Sequence, residues 1–547
     1  MEPQPQPALP ENWRNYFPLP NIRQKQERAL DFIYRMISRG IKDIIIAAPT
    51  GTGKTAIGAT IAFWAGQKTL PLSGSPGGYY LVVQKLLQDQ LEEDICRYPA
   101  NLQSSTSLKT ASEYSCSNYS NCGVGLMHQP ICSSVPTKSC AYRRQVAKFS
   151  SSDLAITNYP YFFTERLYVK QMPPRRILIA DEAHNLESQL LKFVELVIGP
   201  EEIVKYLPRV KEVPEMETLD DYTEWLSNTF LSGLSNYRDA FAADPAGLTP
   251  TRAKELLELD TMIARVERAL SDMADDPHNW IFWQDVTQTL PKQPKMRTAI
   301  AKPLSAAPYF QDFLREAADV RIYMSAYPGT KDVFCQTLGL NPDATAMLSL
   351  GSVFDKQQRP IHAAMIGSMS KKNQPETLPR FLRLLSTLLN EHANEKGIIH
   401  GNSYALCNVI FEHFKRLPQG TRLLFPRRAD ERENVYRNHR SNNLPSVILS
   451  PSFTEGFDFA DDAARWQVIA KIPFPYLGDK QIAARKEKDP EWYALRTVST
   501  IVQASGRICR SEKDFGLTYI TDSDFQFLWE RWNWMFPAWW KEALIWP

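Results

Sequence analysis

The stretch Ala47-Ala48-Pro49-Thr50-Gly51-Thr52-Gly53-Lys54-Thr55 constrains this chain more than any other. It follows the apolar run Ile44-Ile45-Ile46 and precedes a helix expected to begin Ala56-Ile57-Gly58. Strand, glycine loop and helix in that order is the setting of a phosphate-binding loop. Thr50, Gly51, Thr52 and Gly53 form the cradle, where glycine lets backbone N–H groups wrap an anion. The helix that follows points its positive end at the same place. Lys54 is placed to reach the β- and γ-phosphates of ATP, and Thr55 to hold Mg²⁺. A turn that matches by chance is the bland alternative, and the flanking strand and helix signals count against it.

A second motif lies downstream. Arg176-Ile177-Leu178-Ile179-Ala180 has the character of a buried strand and ends in Asp181-Glu182-Ala183-His184. An acid at the carboxyl end of a parallel strand sits at the ligand crevice of an α/β sheet. Asp181 is expected to coordinate Mg²⁺, directly or through water, and Glu182 to position or polarise the attacking water. Alone, the pair would pass for a solvated loop. A third motif, Gln503-Ala504-Ser505-Gly506-Arg507-Ile508-Cys509-Arg510, places two arginines at a spacing that shares one helix face. Planar guanidinium forks suit a γ-phosphate and the charge that develops on it. By itself this segment would be an ordinary surface helix.

Together these segments resemble a superfamily 2 helicase, and more narrowly the XPD/DinG family. Arg23-Gln24-Lys25-Gln26 resembles the family's adenine-side element, with Arg23 and Gln26 at the matching places. Leu87-Gln88-Asp89-Gln90-Leu91 resembles the segment after motif Ia, and Asp181 to His184 a DEAH-type motif II. Glu455-Gly456-Phe457-Asp458-Phe459 resembles motif V, with Asp458 on the nucleotide side, and Lys471-Ile472-Pro473-Phe474-Pro475 the family's Lys-x-Pro-Phe-x segment. Gln503, Gly506, Arg507 and Arg510 match motif VI. Motif III departs: Ser325-Ala326-Tyr327 stands where the family has Ser-Ala-Thr. Gln84 stands where motif Ia has Thr.

Four of the eight cysteines crowd one segment, Cys116, Cys122, Cys132 and Cys140. Many members of the family carry a four-cysteine [4Fe–4S] domain at this place, and Cys140-Ala141-Tyr142 is similar to its Cys-Pro-Tyr. Four soft thiolates suit an iron–sulfur cluster or zinc. The absence of a Cys-x-x-Cys pair weakens the zinc-ribbon reading. A degenerate site without metal is the third option, and disulfides need an oxidising compartment for which no signal peptide is present. His128 is read as a loop residue, and Cys335, Cys407 and Cys509 as small core residues.

At 547 residues the chain is too long for one core. A hydrophobic content of 43% implies globular packing, and a formal charge of +2 means that nucleic-acid binding must come from local basic surfaces. The local candidates are Arg143-Arg144 with Lys148, Arg175-Arg176, Lys371-Lys372 and Arg427-Arg428, each more often a solvated face than a contact. No apolar run is long enough to span a bilayer, so a cytoplasmic protein of a bacterium, archaeon or virus is expected.

The expected fold class is α/β: two RecA-like parallel-sheet ATPase domains with an inserted four-cysteine cluster domain and an inserted helical arch domain. Residues 1–10 form a loose tail, and 11–94, 151–189 and 319–347 make up the first ATPase domain. Residues 95–150, poor in aliphatic side chains, form the cysteine insert and need a staple to hold a fold. Residues 190–318 have a helical texture, with Leu256, Leu259, Ile263, Val266, Leu270 and Met273 forming an apolar seam. Trp280 and Trp283 are read as core anchors rather than base-stacking platforms. Residues 348–547 form the second ATPase domain, ending in a tail with Trp529, Trp532, Trp534, Trp539, Trp540 and Trp546. That tail is expected to fold back on the domain, with a partner-docking patch as the sharper alternative.

The resemblance implies an ATP- and Mg²⁺-dependent 5′-to-3′ DNA helicase carrying a [4Fe–4S] cluster. It would act as a monomer on single-stranded DNA and on forked or 5′-tailed duplexes, with no membrane and a possible protein partner at the arch or the Trp-rich tail. Two other readings stay open. One is a translocase or remodeller of protein–DNA complexes or DNA–RNA hybrids. The other is a nucleotide-gated scaffold in a defence or repair complex.

Overall fold

The computed structural model describes residues 13–67, 70–99, 102, 104–118, 121–123, 132, 135–169, 172–207, 210, 212–243, 250–287, 296–451, 459, 461–509 and 514–547. Two parallel seven-stranded sheets carry the chain, as the α/β expectation required. The first contains β1 (Asp43–Ala47), β2 (Ser75–Val82), β3 (Ser105–Ser107), β4 (Leu154–Asn158) and β5 (Arg175–Ala180). After an insertion the chain returns to it with β9 (Ala318–Ser325) and β10 (Thr345–Ser349). The strand order is β10-β1-β9-β5-β2-β4-β3, and every pairing is parallel. Parallel strands need crossovers and are buried on both faces, which explains runs such as Ile44-Ile45-Ile46. Ile44, Ile46, Ile177, Ile179 and Met324 face the helices Gln24–Ser38 and Lys54–Ala65, whereas Ile45, Tyr79, Leu178 and Tyr323 face the other way.

The second sheet holds β11 (Ile361–His362), β12 (Gly397–His400), β13 (Leu423–Leu424), β14 (Val447–Ser450), β15 (Trp466–Ile469), β16 (Leu517–Ile520) and β17 (Leu544–Ile545). Its order is β13-β14-β12-β15-β16-β11-β17, again all parallel.

The insertion between β5 and β9 is not wholly helical. The 26-residue helix Pro250–Asp275 is there, and Leu259, Val266 and Met273 of the seam are buried. But β6 (Leu196–Ile198), β7 (Trp280–Thr287) and β8 (Met296–Pro303) form an antiparallel sheet in the order β6-β8-β7. Trp280 is buried on it; Trp283 is partly exposed. Within the segment read as the cysteine insert, β3 belongs to the first sheet, paired with β4. The Trp-rich tail folds back: Trp540 is buried with Phe525, Met535 and Phe536 against Val498 and Ile501 of the helix Pro490–Ser505, while Trp534 and Trp546 keep exposed faces. Cys335, Cys407 and Cys509 are buried core residues. Among the described residues no helix is long and apolar enough to cross a membrane.

Arg175 and Arg176 correct the reading of a basic surface cluster. They are 1% and 7% exposed at the start of β5. Arg175 donates to the carbonyls of Phe149, Ser150 and Ser152, and Arg176 to those of Ala65 and Gln67. Guanidinium groups with five donors can be buried where chain ends leave carbonyls without partners. Arg427 and Arg428 are exposed and paired with Glu412, Asp430 and Glu431.

Candidate nucleotide cleft

The phosphate loop occupies the carboxyl edge of β1. Gly51 and Gly53 adopt φ of +82° and +83°, the left-handed region that side chains avoid. Gly53 is the residue before the helix Lys54–Ala65. A Cβ on Gly53 would lie 2.3 Å from the Gln26 amide, so the loop and the Arg23–Gln26 element are fitted together. Gln26 Oε1 accepts from the Arg23 N–H at 3.0 Å, and Arg23 donates 2.7 Å to the Gly51 carbonyl. Thr52 turns inward, donating from Oγ1 to the Pro49 carbonyl at 2.6 Å. Thr55, in the first turn of the helix, is partly exposed at the loop.

Asp181 and Glu182 follow β5 beside this loop. Asp181 Oδ2 accepts from the Tyr80 hydroxyl at 3.0 Å, and the Tyr159 hydroxyl donates 2.8 Å to the Asp181 carbonyl. Burial, with the neighbouring Glu182 charge, raises the Asp181 carboxyl above its ordinary range. A divalent cation would reverse this, since it supplies the positive charge that burial withholds. Glu182 sits at φ +47°, a strained conformation for a non-glycine residue and typical of a functional turn. Its Oε1 is 3.6 Å from Lys54 Nζ and its Oε2 3.4 Å from His184 Nδ1. Burial opposes the Glu182 charge, but Lys54, His184 and Arg507 outweigh it and hold the carboxyl below its ordinary range. His184 Nδ1 also lies 2.9 Å from Ser325 Oγ, at the end of β9.

Thr50, Lys54, Glu182 and His184 line one wall of a cleft of about 660 Å³, and Gln503, Gly506 and Arg507 line the other. Residues several hundred positions apart are thus brought to one crevice. The Gln503–Arg510 segment is not one helix face, however. The helix Pro490–Ser505 stops at Gly506, and Arg507 stands in the turn after it. That position aims the guanidinium at the cleft from a helix end. Arg510 and Asp458 lie outside the described residues. Tyr80 and Tyr159 are the residues that motif reading missed. No local pattern marks Tyr80, and only the register of β2 beside β5 puts its hydroxyl at Asp181.

A second, larger groove of about 1320 Å³ runs between the first sheet, the base of the insertion and the second sheet. Lys192, Lys371, Lys471 and Arg496 line it, with Phe474, Tyr476 and Tyr493. Phe474 and Tyr493 stack 5.9 Å apart at 7°.

Cys116, Cys122, Cys132 and Cys140 line one small cavity, all as free thiols. Cys122 Sγ and Cys140 Sγ are 4.0 Å apart, and Arg143 lies 3.3 Å from Cys132 Sγ. Burial pushes the Cys122 thiol up to about 11. Among the described residues no three His, Cys, Asp or Glu side chains are gathered as a metal site. The cavity is small, about 20 Å³, and only the chemistry of the donor set, four soft thiols, matches an iron–sulfur core. His128 lies outside the described residues.

Comparison with known proteins adds to this geometry. A family model described as a helicase C-terminal domain matches residues 386–543, and one described as the res subunit of type III restriction enzymes matches residues 19–213. A probable ATP-dependent helicase of Methanocaldococcus jannaschii is 21% identical, over 93% of this chain and 92% of its own. The ATP-dependent DNA helicase YoaA of Escherichia coli is 21% identical, over 71% of this chain and 66% of its own. A solved XPD helicase superposes with a TM-score of 0.59 at 15% identity, covering 97% of this chain and all (100%) of the other. The S. tokodaii Xpd4 structure gives 0.57 at 12% identity, covering 96% and 100%. At such identities the structural likeness speaks to the fold: two RecA-like sheets in the arrangement of the XPD helicases.

Proposed function

We propose that this chain is a member of the XPD/DinG-like superfamily 2 helicases, an ATP-dependent helicase that moves 5′-to-3′ on single-stranded DNA and opens duplexes. The observation that carries the reading is the single cleft lined by Lys54, Glu182 and Arg507. ATP enters it with its phosphates in the loop Thr50–Thr55 and its base toward Arg23 and Gln26. Thr55 and Asp181 would hold Mg²⁺, which supplies charge neutralisation at the β- and γ-phosphates. Glu182, kept ionised by its cationic neighbours, accepts a hydrogen bond from the attacking water and orients it. Arg507 meets the negative charge that gathers on the transferred group; Gln503, and Arg510 by resemblance, support the same wall. Loss of the γ-phosphate removes the anion that both walls grip, so the walls part, and repeated closing and opening advances the strand.

The basic, aromatic-lined groove is the proposed strand track. Lysine and arginine contacts to phosphates with aromatic stacking give sequence-independent, salt-sensitive binding. The four cysteines would hold a [4Fe–4S] cluster, which supplies the segment between β3 and β4 with a rigid staple. The chain is proposed to act as a monomer on forked or 5′-tailed DNA.

The test is a strand-displacement assay on 5′- and 3′-tailed duplexes, with ATP hydrolysis followed with and without single-stranded DNA. DNA-stimulated turnover and opening of the 5′-tailed substrate alone are expected, and Lys54→Ala should abolish both. Preference for the 3′ tail overturns the polarity; turnover indifferent to nucleic acid overturns the motor.

A further inference from the structure

The two sheets are joined by more than the nucleotide cleft. After β9 ends at Ser325, the loop leaves the first unit and enters the second. Tyr327 is 4% exposed and belongs to the same buried cluster as Val498, Val502 and Trp540. Gly329, at φ +98°, passes so close to the second unit that a Cβ would lie 2.7 Å from Leu495. The Tyr327 hydroxyl donates to the Met535 carbonyl, inside the Trp-rich tail. A threonine, the family's residue at this place, is too short to make that bond.

Both ends of this bond lead to the cleft. On one side the Tyr327 N–H donates to Ser325 Oγ at 3.2 Å, and Ser325 Oγ meets His184 Nδ1 at 2.9 Å. His184 in turn stands 3.4 Å from Glu182. On the other side, the turn Asn533–Met535 leads into the helix Ala538–Lys541, where Trp540 Nε1 donates 2.7 Å to Ser505 Oγ. Ser505 is the last residue of the helix that delivers Arg507. The tail also holds the linker between the sheets, through Arg359 donating 2.7 Å to the Trp539 carbonyl.

We infer that Tyr327 is a positioning residue that couples the water-orienting wall to the arginine wall through the Trp-rich tail, along a route that does not cross the open cleft. This deepens the motor reading and rests on it. The tail thereby gains a role inside the molecule, where a docking patch for a partner was the sharper sequence expectation. Hydrogen bonds joined by the backbone from Met535 to Trp540 are only a route; coupling is shown by the response of one end to change at the other.

The test uses the full-length chain and Tyr327→Phe, which keeps the buried ring and removes only the bond to Met535. Hydrogen exchange of the turn Asn533–Met535 is measured with and without a non-hydrolysable ATP analogue. The analogue should protect this turn in the unaltered chain and lose at least half of that protection in Tyr327→Phe. ATP KM and DNA-free turnover should stay within about two-fold, while DNA stimulation falls at least three-fold. Trp540→Phe should lose the same protection, and the double variant should lose no more than either single one, since both interrupt one route. Equal protection of the turn in the unaltered chain and in Tyr327→Phe overturns the inference, as do additive losses in the double variant. A chain that hydrolyses ATP without any response to DNA would sink the motor reading instead, and the exchange measurement would still decide the coupling.

Discussion

At the scale of single residues, the chemistry of this cleft depends on groups that no motif names. Asp181 is the proposed Mg²⁺ ligand, and its carboxylate is oriented by the Tyr80 hydroxyl at 3.0 Å. A hydrogen bond to a charged group contributes about 1.5–3 kcal/mol. Tyr80→Phe removes it while leaving the buried ring in β2, so the Mg²⁺ concentration for half-maximal ATP hydrolysis should rise on the order of 10-fold. The maximal rate at saturating Mg²⁺ should change much less. A Mg²⁺ titration of turnover reads both, and an unchanged midpoint would remove Tyr80 from the site. Lys54, Glu182 and Arg507 could be picked from the sequence because each sits in a short pattern whose chemistry is local. Tyr80 could not, because its role arises from the register between two strands far apart in the chain. Arg175 and Arg176 misled for the opposite reason: two adjacent charges look solvated until the carbonyls they must satisfy are in view.

At the scale of elements, the cysteine segment shows how a weak core is held from outside. The helix Ala141–Ser151 begins immediately after Cys140, and its last carbonyls are gathered by Arg175 from β5. Four unpaired carbonyls at a helix end are a standing cost, and a buried guanidinium removes part of it. Arg175→Ala leaves the carbonyls of Phe149, Ser150 and Ser152 without that donor, and it should cost about 3 kcal/mol or more. The same loosening should reach Cys140. Protein purified anaerobically should carry close to four iron atoms per chain by the four-thiolate reading, fewer in Arg175→Ala, and almost none in Cys140→Ser. Colourless, iron-free protein from the unaltered sequence would end the cluster proposal, while iron retention in Arg175→Ala equal to the unaltered chain would end only the link through the helix. Of the elements, β1 and β5 were visible as unbroken apolar runs, whereas short strands such as β3, β11, β13 and β17 carry too few residues to show a pattern. The antiparallel sheet of the insertion was hidden: β7 and β8 lie after a long helix whose period dominates the composition around it.

At the scale of the whole molecule, two histidines of the second sheet unit are buried as neutral imidazoles, and they contribute to how the chain answers to acid. His400, at the end of β12, shares a 3.0 Å hydrogen bond with Gln467 Oε1 and is 4% exposed. His439 is fully buried, with Nε2 2.7 Å from the Ala463 carbonyl and Nδ1 2.9 Å from Ser446 Oγ. Burial pushes each imidazole down from 6.5 to about 4, with Arg507 adding to the effect at His400 and Lys396 at His439. In the unfolded chain both take up a proton near the ordinary value of about 6.5. Between that pH and about 4 the unfolded state therefore binds more protons, so stability falls as the pH falls. Above pH 6.5 the contribution is complete. A tenfold loss of proton affinity on folding corresponds to about 1.4 kcal/mol, so the pair accounts for an acid loss on the order of 5 kcal/mol. The urea midpoint of the intact chain should be level from pH 8 to 7 and drop steeply from pH 6 to 4.5. His439→Gln, whatever its stability at pH 7, should show about half of that slope, because only one of the two protons remains to be taken up. A midpoint that stays level down to pH 5 would mean that the histidines are not buried neutral. Motif reading reached the loop, the acids and the arginine by local chemistry; this acid response follows from burial created only when β12, β14 and β15 are packed together, which no single segment announces.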